Sequence, residues 1–403
     1  MRLKIAFCNH FARSNWLDGA EVSLLQIISA LPSAEFEKFL ITQNNGEMPQ
    51  IVQRMGIPVH IAPLSLMWSM GGISRPEQSR FPSIQRQLQH LLTAENRVIL
   101  QYKQFLKTIR PQLLLVNTSV NVLPAVIGKQ LGIKTIWFPR EYFRGNLQET
   151  CRILDQYSDQ IWVASQTMEK LLQASPQLTP KLRKIPNFID LTQLEETRWP
   201  DYRQEIRSRY GLTPAQTAIC YWSSISPMKG IIDFIAMAKQ LKEQHGPKAK
   251  FFVAGCASQD IYLQQAKAKS TEFGLDDDLV FTGFFPYSQQ CLPGMDIVVH
   301  PSHFAETFSR SALDAMTYRK PLIAYNSGAL AELIVHQVTG YLVTKGDVQG
   351  LGKACAALIA DPGLRETMGN AGRRIVEERY SAAQVLPLML NALGKLRNTG
   401  RSF

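Results

Sequence analysis

Short apolar runs alternate with segments of helical period through two successive stretches of this 403-residue chain. In the first stretch the runs are LKIAFC at 3–8, a strand over 37–42, another near 58–61, QLLLVN at 112–117, KTIWF at 134–138 and QIWVA at 160–164. After a polar, charged connector over 191–209 the pattern restarts with TAICYWSS at 217–224, KFFVAG at 250–255, LVFTG, VVH at 298–300, KPLIAY and YLV. Alternating β and α elements imply parallel sheets joined by helical crossovers. Two such runs need two cores, and the chain is long enough to bury both. The reading is an α/β protein with two Rossmann-like, doubly wound parallel-sheet domains. In such sheets ligand groups gather at the carboxyl ends of the strands, so the loops there are where chemistry is expected.

The most informative of those loops lies within VVHPSHFAETFSRSALDAM, residues 298–316. It reads as a buried strand ending at His300, a loop through Pro301 and Ser302, and a helix opening between Thr307 and Ser309. Glu306 precedes the helix, and Asp314 lies eight residues on, about 12 Å along a helical axis. Between the two acids, the backbone N–H groups of Thr307, Phe308, Ser309 and Arg310 are expected to form an anion site supported by the helix dipole. A ligand with a central diphosphate and a polyol at each end fits this layout, and a nucleotide sugar is such a ligand.

This stretch resembles the Glu-x7-Glu signature of retaining glycosyltransferases with the GT-B fold, specifically the large family 4. The resemblance implies that Glu306 meets hydroxyls of the donor sugar and that Asp314 holds the ribose. Asp314 is one methylene shorter than the usual Glu, and Ser309 stands where Gly is common. The loop SSISPMKG resembles the family's Gly-Arg-Leu-x-x-x-Lys-Gly turn, which would make Lys229 a neutraliser of the leaving diphosphate and Glu306 its catalytic partner. Ser224 occupies the Arg position of that turn, so Arg140, Arg310 or another cation would have to substitute, or activity is weak, or the donor differs. Gly283 and Phe284 stand where the family's nucleobase contacts cluster.

In the first half, Asp18-Gly19-Ala20-Glu21 is similar to the family's Gly-Gly-Ala-Glu element, with Gly19 available for close approach to a phosphate or acceptor; the alternative is a helix capped by Asp18. After KTIWF, Arg140 stands in the family's His place and Glu141 in its acid place. Arg140 and Arg144 are candidates to grip an anionic group, or else they form surface ion pairs. The resemblance further implies an acceptor-binding domain over 1–190, a nucleotide-sugar-binding domain over 191–380 facing it across a cleft, and a helix over 381–403 crossing back. The implied activity is transfer of a hexosyl group from a nucleotide sugar, of UDP type, to a glycan or lipid-linked acceptor in envelope polysaccharide or glycolipid synthesis, with neither cofactor nor metal. A GT-B-shaped nucleotide-sugar binder that has lost turnover is the alternative, and a nucleotide-sugar epimerase a third.

Charge narrows the partners. Residues 1–190 carry 21 Lys and Arg against 13 Asp and Glu, and the remainder 23 against 20. A basic first half suits anionic lipid headgroups or a merely soluble basic face; no nucleic-acid motif or aromatic platform accompanies it, so nucleic acid is not expected. The loop over 63–83, with Met67, Trp68, Met70, Arg75, Arg80 and Phe81, either receives the acceptor, lies on a membrane, or folds over its own core. A long amphipathic helix is expected over 84–109. The six cysteines are scattered, which argues for reduced packing residues and against zinc, and Asp276, Asp277 and Asp278 read as a solvated turn. No apolar run has membrane-spanning length and the start reads as a strand, so a cytoplasmic protein, peripheral on the membrane at most, is expected.

Overall fold

A computed structural model of the chain describes residues 2–71, 83–94, 96–143, 147–257, 259–285 and 287–398. The chain divides into two compact units, one of Met1–Asn187 with Val385–Phe403 and one of Phe188–Gln384.

Among the described residues, the first unit carries a seven-stranded sheet of β1 (Leu3–Cys8), β2 (Phe36–Thr42), β3 (Val59–Ile61), β4 (Leu113–Asn117), β5 (Lys134–Phe138), β6 (Gln160–Val163) and β7 (Leu182–Lys184). Its order is β3-β2-β1-β4-β5-β6-β7, and each neighbouring pair is parallel. Helices cover both faces of such a sheet, which is why Ile5, Ala6 and Phe7, like Leu114, Leu115 and Val116, are buried consecutively rather than alternately. The order reverses between β1 and β4, so the loops after those strands splay apart and leave a crevice at their carboxyl ends.

Two expectations are refined here. Met67 and Met70 are 2% and 1% exposed and pack with Leu88 and Tyr102, so this part of the loop folds over its own core. Unbranched methionine fits such irregular gaps, and the Met67 amide is anchored on the Val120 carbonyl at 2.8 Å. Trp68 is 50% exposed. Residues 72–82, with Arg75, Arg80 and Phe81, lie outside the described residues. The expected helix over 84–109 is described as Ile84–Ala94 and Asn96–Ile109, with Glu95 outside the description.

The second unit carries a six-stranded parallel sheet of β8 (Thr217–Trp222), β9 (Ala249–Ala254), β10 (Leu279–Gly283), β11 (Ile297–His300), β12 (Leu322–Tyr325) and β13 (Gly340–Val343). Its order, β10-β9-β8-β11-β12-β13, repeats the logic of the first sheet, with the reversal between β8 and β11. Phe234, Ile235, Phe251 and Val253 fill one face of this core with Leu351 and Leu358. The connector expected over 191–209 ends in a helix, Trp199–Arg209, and the last helix runs over Ala382–Asn398. Among the described residues no helix is long and apolar enough to cross a membrane.

Candidate active site

The reversal point of the second sheet brings together the ends of β8 and β11 and the loops that follow them. Beyond β8 a short turn, Pro227–Lys229, ends at Gly230, whose φ of 73° is left-handed. A Cβ on Gly230 would lie 1.8 Å from the Pro301 carbonyl oxygen, so only glycine lets the turn bearing Lys229 approach the loop after β11 this closely. The amides of His303 and Phe304 donate to the Met228 carbonyl at 2.9 and 3.2 Å, tying the two loops together.

Glu306, 9% exposed, is the focus of this junction. Its Oε1 lies 2.5 Å from Lys229 Nζ, 3.2 Å from His300 Nε2 and 3.2 Å from Ser302 Oγ. Burial by itself would raise the Glu306 carboxyl, but the Lys229 charge and the His300 hydrogen bond outweigh it and hold the group well below the usual carboxylate range. The result is an ionised, largely buried acid paired with a half-buried lysine.

The helix after this loop is Arg310–Thr317, opening later than the 307–309 start expected from the sequence. Ser309 is its N-cap: its backbone is extended and its Oγ accepts from the Ala312 amide, so that donor is already used. Glu306 therefore lies not at the foot of the helix but in an isolated parallel bridge with Gly328. Thr307 and Phe308 precede the cap and are buried, and the Phe308 ring packs edge-on against Tyr380 at 5.5 Å. Asp314, on the helix, has Oδ1 3.3 Å from Arg310 Nε and Oδ2 3.3 Å from the Trp222 indole nitrogen. Burial raises its carboxyl despite those two partners. Arg310 also donates to the Phe188 carbonyl at 3.0 Å. The Ser224 carbonyl accepts from the Tyr221 hydroxyl at 2.7 Å. Gly283 is exposed with φ 77°, Phe284 is half-buried, and the neighbouring Phe285 ring lies 6.5 Å from that of Trp222.

Lys229 and Glu306, 77 positions apart in sequence, thus meet, with Asp314 on the following helix. His300, Ser302 and Trp222 also belong to the site, although no sequence motif singles them out. The available signal was position: each stands at or just beyond the carboxyl end of a strand flanking the reversal.

In the first unit, Gly19 opens the helix Gly19–Ala30, and Asp18 caps it by accepting from the Ala20 and Glu21 amides. The capping alternative therefore describes Asp18. Arg140 donates to Asn117 Oδ1 at 2.9 Å and to Asn187 Oδ1 at 2.7 Å, and its guanidinium lies 3.5 Å from the centroid of the Phe138 ring. Burial pulls that guanidinium down to about 9, opposed by Glu141 and Asp18, and leaves it charged at neutral pH. Glu141 accepts from the Ser119 amide and hydroxyl at 2.8 and 2.7 Å. Both side chains therefore brace the loops after β4 and β5. Arg144 lies outside the described residues. Asp278 pairs with Lys242 at 2.6 Å, and among the described residues no group of three His, Cys, Asp or Glu side chains is placed to hold a metal ion.

Residues 202–375 match the family model described as glycosyl transferases group 1. Among curated proteins, the chain is 30% identical over 183 residues to an alpha-D-kanosaminyltransferase of Streptomyces kanamyceticus, covering 44% of this chain and 45% of that protein. It is 27% identical over 187 residues to the lipopolysaccharide core biosynthesis mannosyltransferase LpcC of Rhizobium leguminosarum bv. viciae, covering 46% of this chain and 52% of that one. The chain thus spans about half the length of these curated relatives. Among solved structures, Anabaena Alr3699/HepE in complex with UDP and glucose superposes with a TM-score of 0.80 at 19% identity, covering 98% of this chain and 100% of that one. That likeness shows the fold: the chain has the GT-B fold, built from two Rossmann-like units.

Proposed function

We propose that the protein is a retaining glycosyltransferase that moves a sugar from a nucleotide-sugar donor, a UDP-sugar, to a glycan or lipid-linked acceptor in envelope polysaccharide or glycolipid synthesis. The observation that carries this reading is the ion pair of Lys229 and Glu306 at the reversal point of the second sheet. Glu306, kept ionised, accepts hydrogen bonds from hydroxyls of the donor sugar. Lys229 neutralises charge that develops on the departing diphosphate, an interaction stronger in the transition state than before it. The departing phosphate oxygen takes the proton of the acceptor hydroxyl, so no separate base is required and no metal is invoked. Asp314 holds the ribose hydroxyls. Backbone N–H groups around Thr307, Phe308, Ser309 and Arg310, with Ser224 opposite, receive the phosphates, and Gly283 and Phe284 flank the base. Gly19, Arg140 and Glu141 serve the acceptor side, the last two by fixing loop geometry. The names of the relatives, one of which acts in lipopolysaccharide core biosynthesis, support the substrate class. The basic first half, with Trp68 and Leu100 exposed, suits peripheral contact with an anionic membrane face in the cytoplasm.

The test is incubation with a panel of nucleotide sugars while free nucleoside diphosphate is followed. Release with one of them supports transfer. Saturable binding without release supports the second reading, a nucleotide-sugar binder without turnover, which Ser224 in place of a second cation favours. Absence of binding by every member of the panel rules out both.

A further inference from the structure

We infer that His300 is a positioning residue for Glu306, donating from Nε2 so that one carboxylate oxygen is held and the other is directed to the ligand; this rests on the function proposed above. Three side chains converge on a single oxygen: Lys229 Nζ, His300 Nε2 and Ser302 Oγ all lie within hydrogen-bonding distance of Glu306 Oε1. Among the described residues no hydrogen bond reaches Oε2. Loading one oxygen fixes the plane and rotation of the group and leaves the other with its lone pairs unspent.

The hydrogen of the imidazole is assigned by its surroundings. His300 is 1% exposed, and its Nδ1 has no hydrogen-bond partner among the described residues. A hydrogen on Nδ1 would be a buried donor without an acceptor, while Nε2 would turn a lone pair toward an ionised carboxylate. The neutral ring with its hydrogen on Nε2 satisfies both constraints. Ser309 Oγ lies 3.5 Å from the same Nε2, so the ring sits between the acid and the cap of the helix bearing Asp314. Because β11 ends at His300, the strand end itself sets where Glu306 points.

The experiment compares the wild type with His300→Leu, which removes the donor at similar bulk, and His300→Gln, whose side-chain N–H can reach the same oxygen. Affinities for UDP and for UDP-glucose are measured by calorimetry, and ligand-free crystal structures of both variants are solved. His300→Leu is expected to bind UDP as the wild type does but to lose ~10 to 100-fold in the preference for UDP-glucose over UDP, with His300→Gln restoring most of it. In the crystals the Glu306 carboxylate should rotate in the Leu variant and hold its place in the Gln variant. An unmoved carboxylate in His300→Leu, an undiminished preference for UDP-glucose, or equal loss for UDP itself would overturn the inference. If the wild type binds neither compound, it is the proposed function that fails, and the two carboxylate positions still decide whether His300 orients Glu306.

Discussion

Gly328 and Glu306 form an isolated parallel bridge, in which the amide of Ala329 donates to the Glu306 carbonyl at 2.8 Å. Gly328 has φ 57°, and a Cβ on it would lie 2.4 Å from the Glu306 carbonyl oxygen and 2.6 Å from its nitrogen. Gly328→Ala must therefore adopt a disfavoured backbone conformation and also displace the acid. The conformational part costs about 1–2 kcal/mol, and the contact adds to it. Denaturant unfolding should show a loss at least that large, and release of nucleoside diphosphate should fall further than stability explains. Wild-type values in both assays would mean that the bridge does not locate Glu306.

The Lys229–Glu306 pair makes two separable predictions, one for activity and one for acid stability. On the function proposed above, Glu306→Gln keeps the shape but removes the charge that holds the sugar hydroxyls and pairs with Lys229, and kcat should fall by ~100 to 1,000-fold, the size expected for loss of one preorganised polar contact to the transition state. Lys229→Ala should fall comparably, and the double variant should lose much less than the sum, because the two act as a unit. For stability, a carboxyl held low on folding contributes stability that is present above its unfolded value, near 4.5, and is lost as pH falls through the folded one. Acid unfolding of the wild type below pH 4.5 should be steeper than that of Glu306→Gln. Parallel acid curves would contradict the pairing.

Arg140 makes the opposite prediction, a residue whose removal costs stability before chemistry. Two asparagine side chains and the Phe138 ring engage its guanidinium, bracing the ends of β4 and β5. Arg140→Ala leaves the Asn117 and Asn187 acceptors without that donor, and a loss on the order of 3 kcal/mol is expected in urea titration. Arg140→Lys should recover only part of it, since an ammonium cannot span two acceptors and stack on a ring together. Full recovery by Lys would show that charge alone matters there.

How much of this was legible follows from which patterns are local. Consecutive burial along β1 and β4 leaves an unbroken apolar run, so the parallel sheets could be read from Ile5 to Phe7 and Leu114 to Val116 without a structure. Lys229 and Glu306 could be singled out because each stands in a recognisable loop, but their contact spans 77 positions and no periodicity encodes it. His300 ends an apolar strand and reads equally well as core. Met67 and Met70 look exposed in a loop rich in glycine and proline, yet the contacts that bury them come from helix residues such as Leu88 and Tyr102. The sequence leaves the helix start open because Thr307, Ser309 and Ser311 all carry side chains that can cap, and only the fold selects Ser309.

The first unit holds a pH-dependent element independent of any ligand. Glu21 is fully buried; its Oε2 accepts from the Asp18 amide at 3.1 Å, while Oε1 has no hydrogen-bond partner among the described residues. Burial and then the charge of Asp18 push its carboxyl up to about 8. An acid raised on folding keeps, in the folded state, a proton that the unfolded chain has already released between about 4.5 and about 8. Its stabilising contribution is complete below the lower value and is lost as pH rises toward the upper one. His10, with Nε2 3.5 Å from Asp18 Oδ2, runs the same way: burial lowers it, but the hydrogen bond and charge of Asp18 prevail and raise it. Asp18 runs the other way, since His10 and the helix amide hold its carboxyl down against burial. Glu21→Gln removes only the first contribution, retaining a polar group of the same size that cannot ionise. Its melting temperature relative to the wild type should therefore climb steadily from pH 5 to pH 8, whereas a constant difference over that range would mean that Glu21 does not change its ionisation on folding.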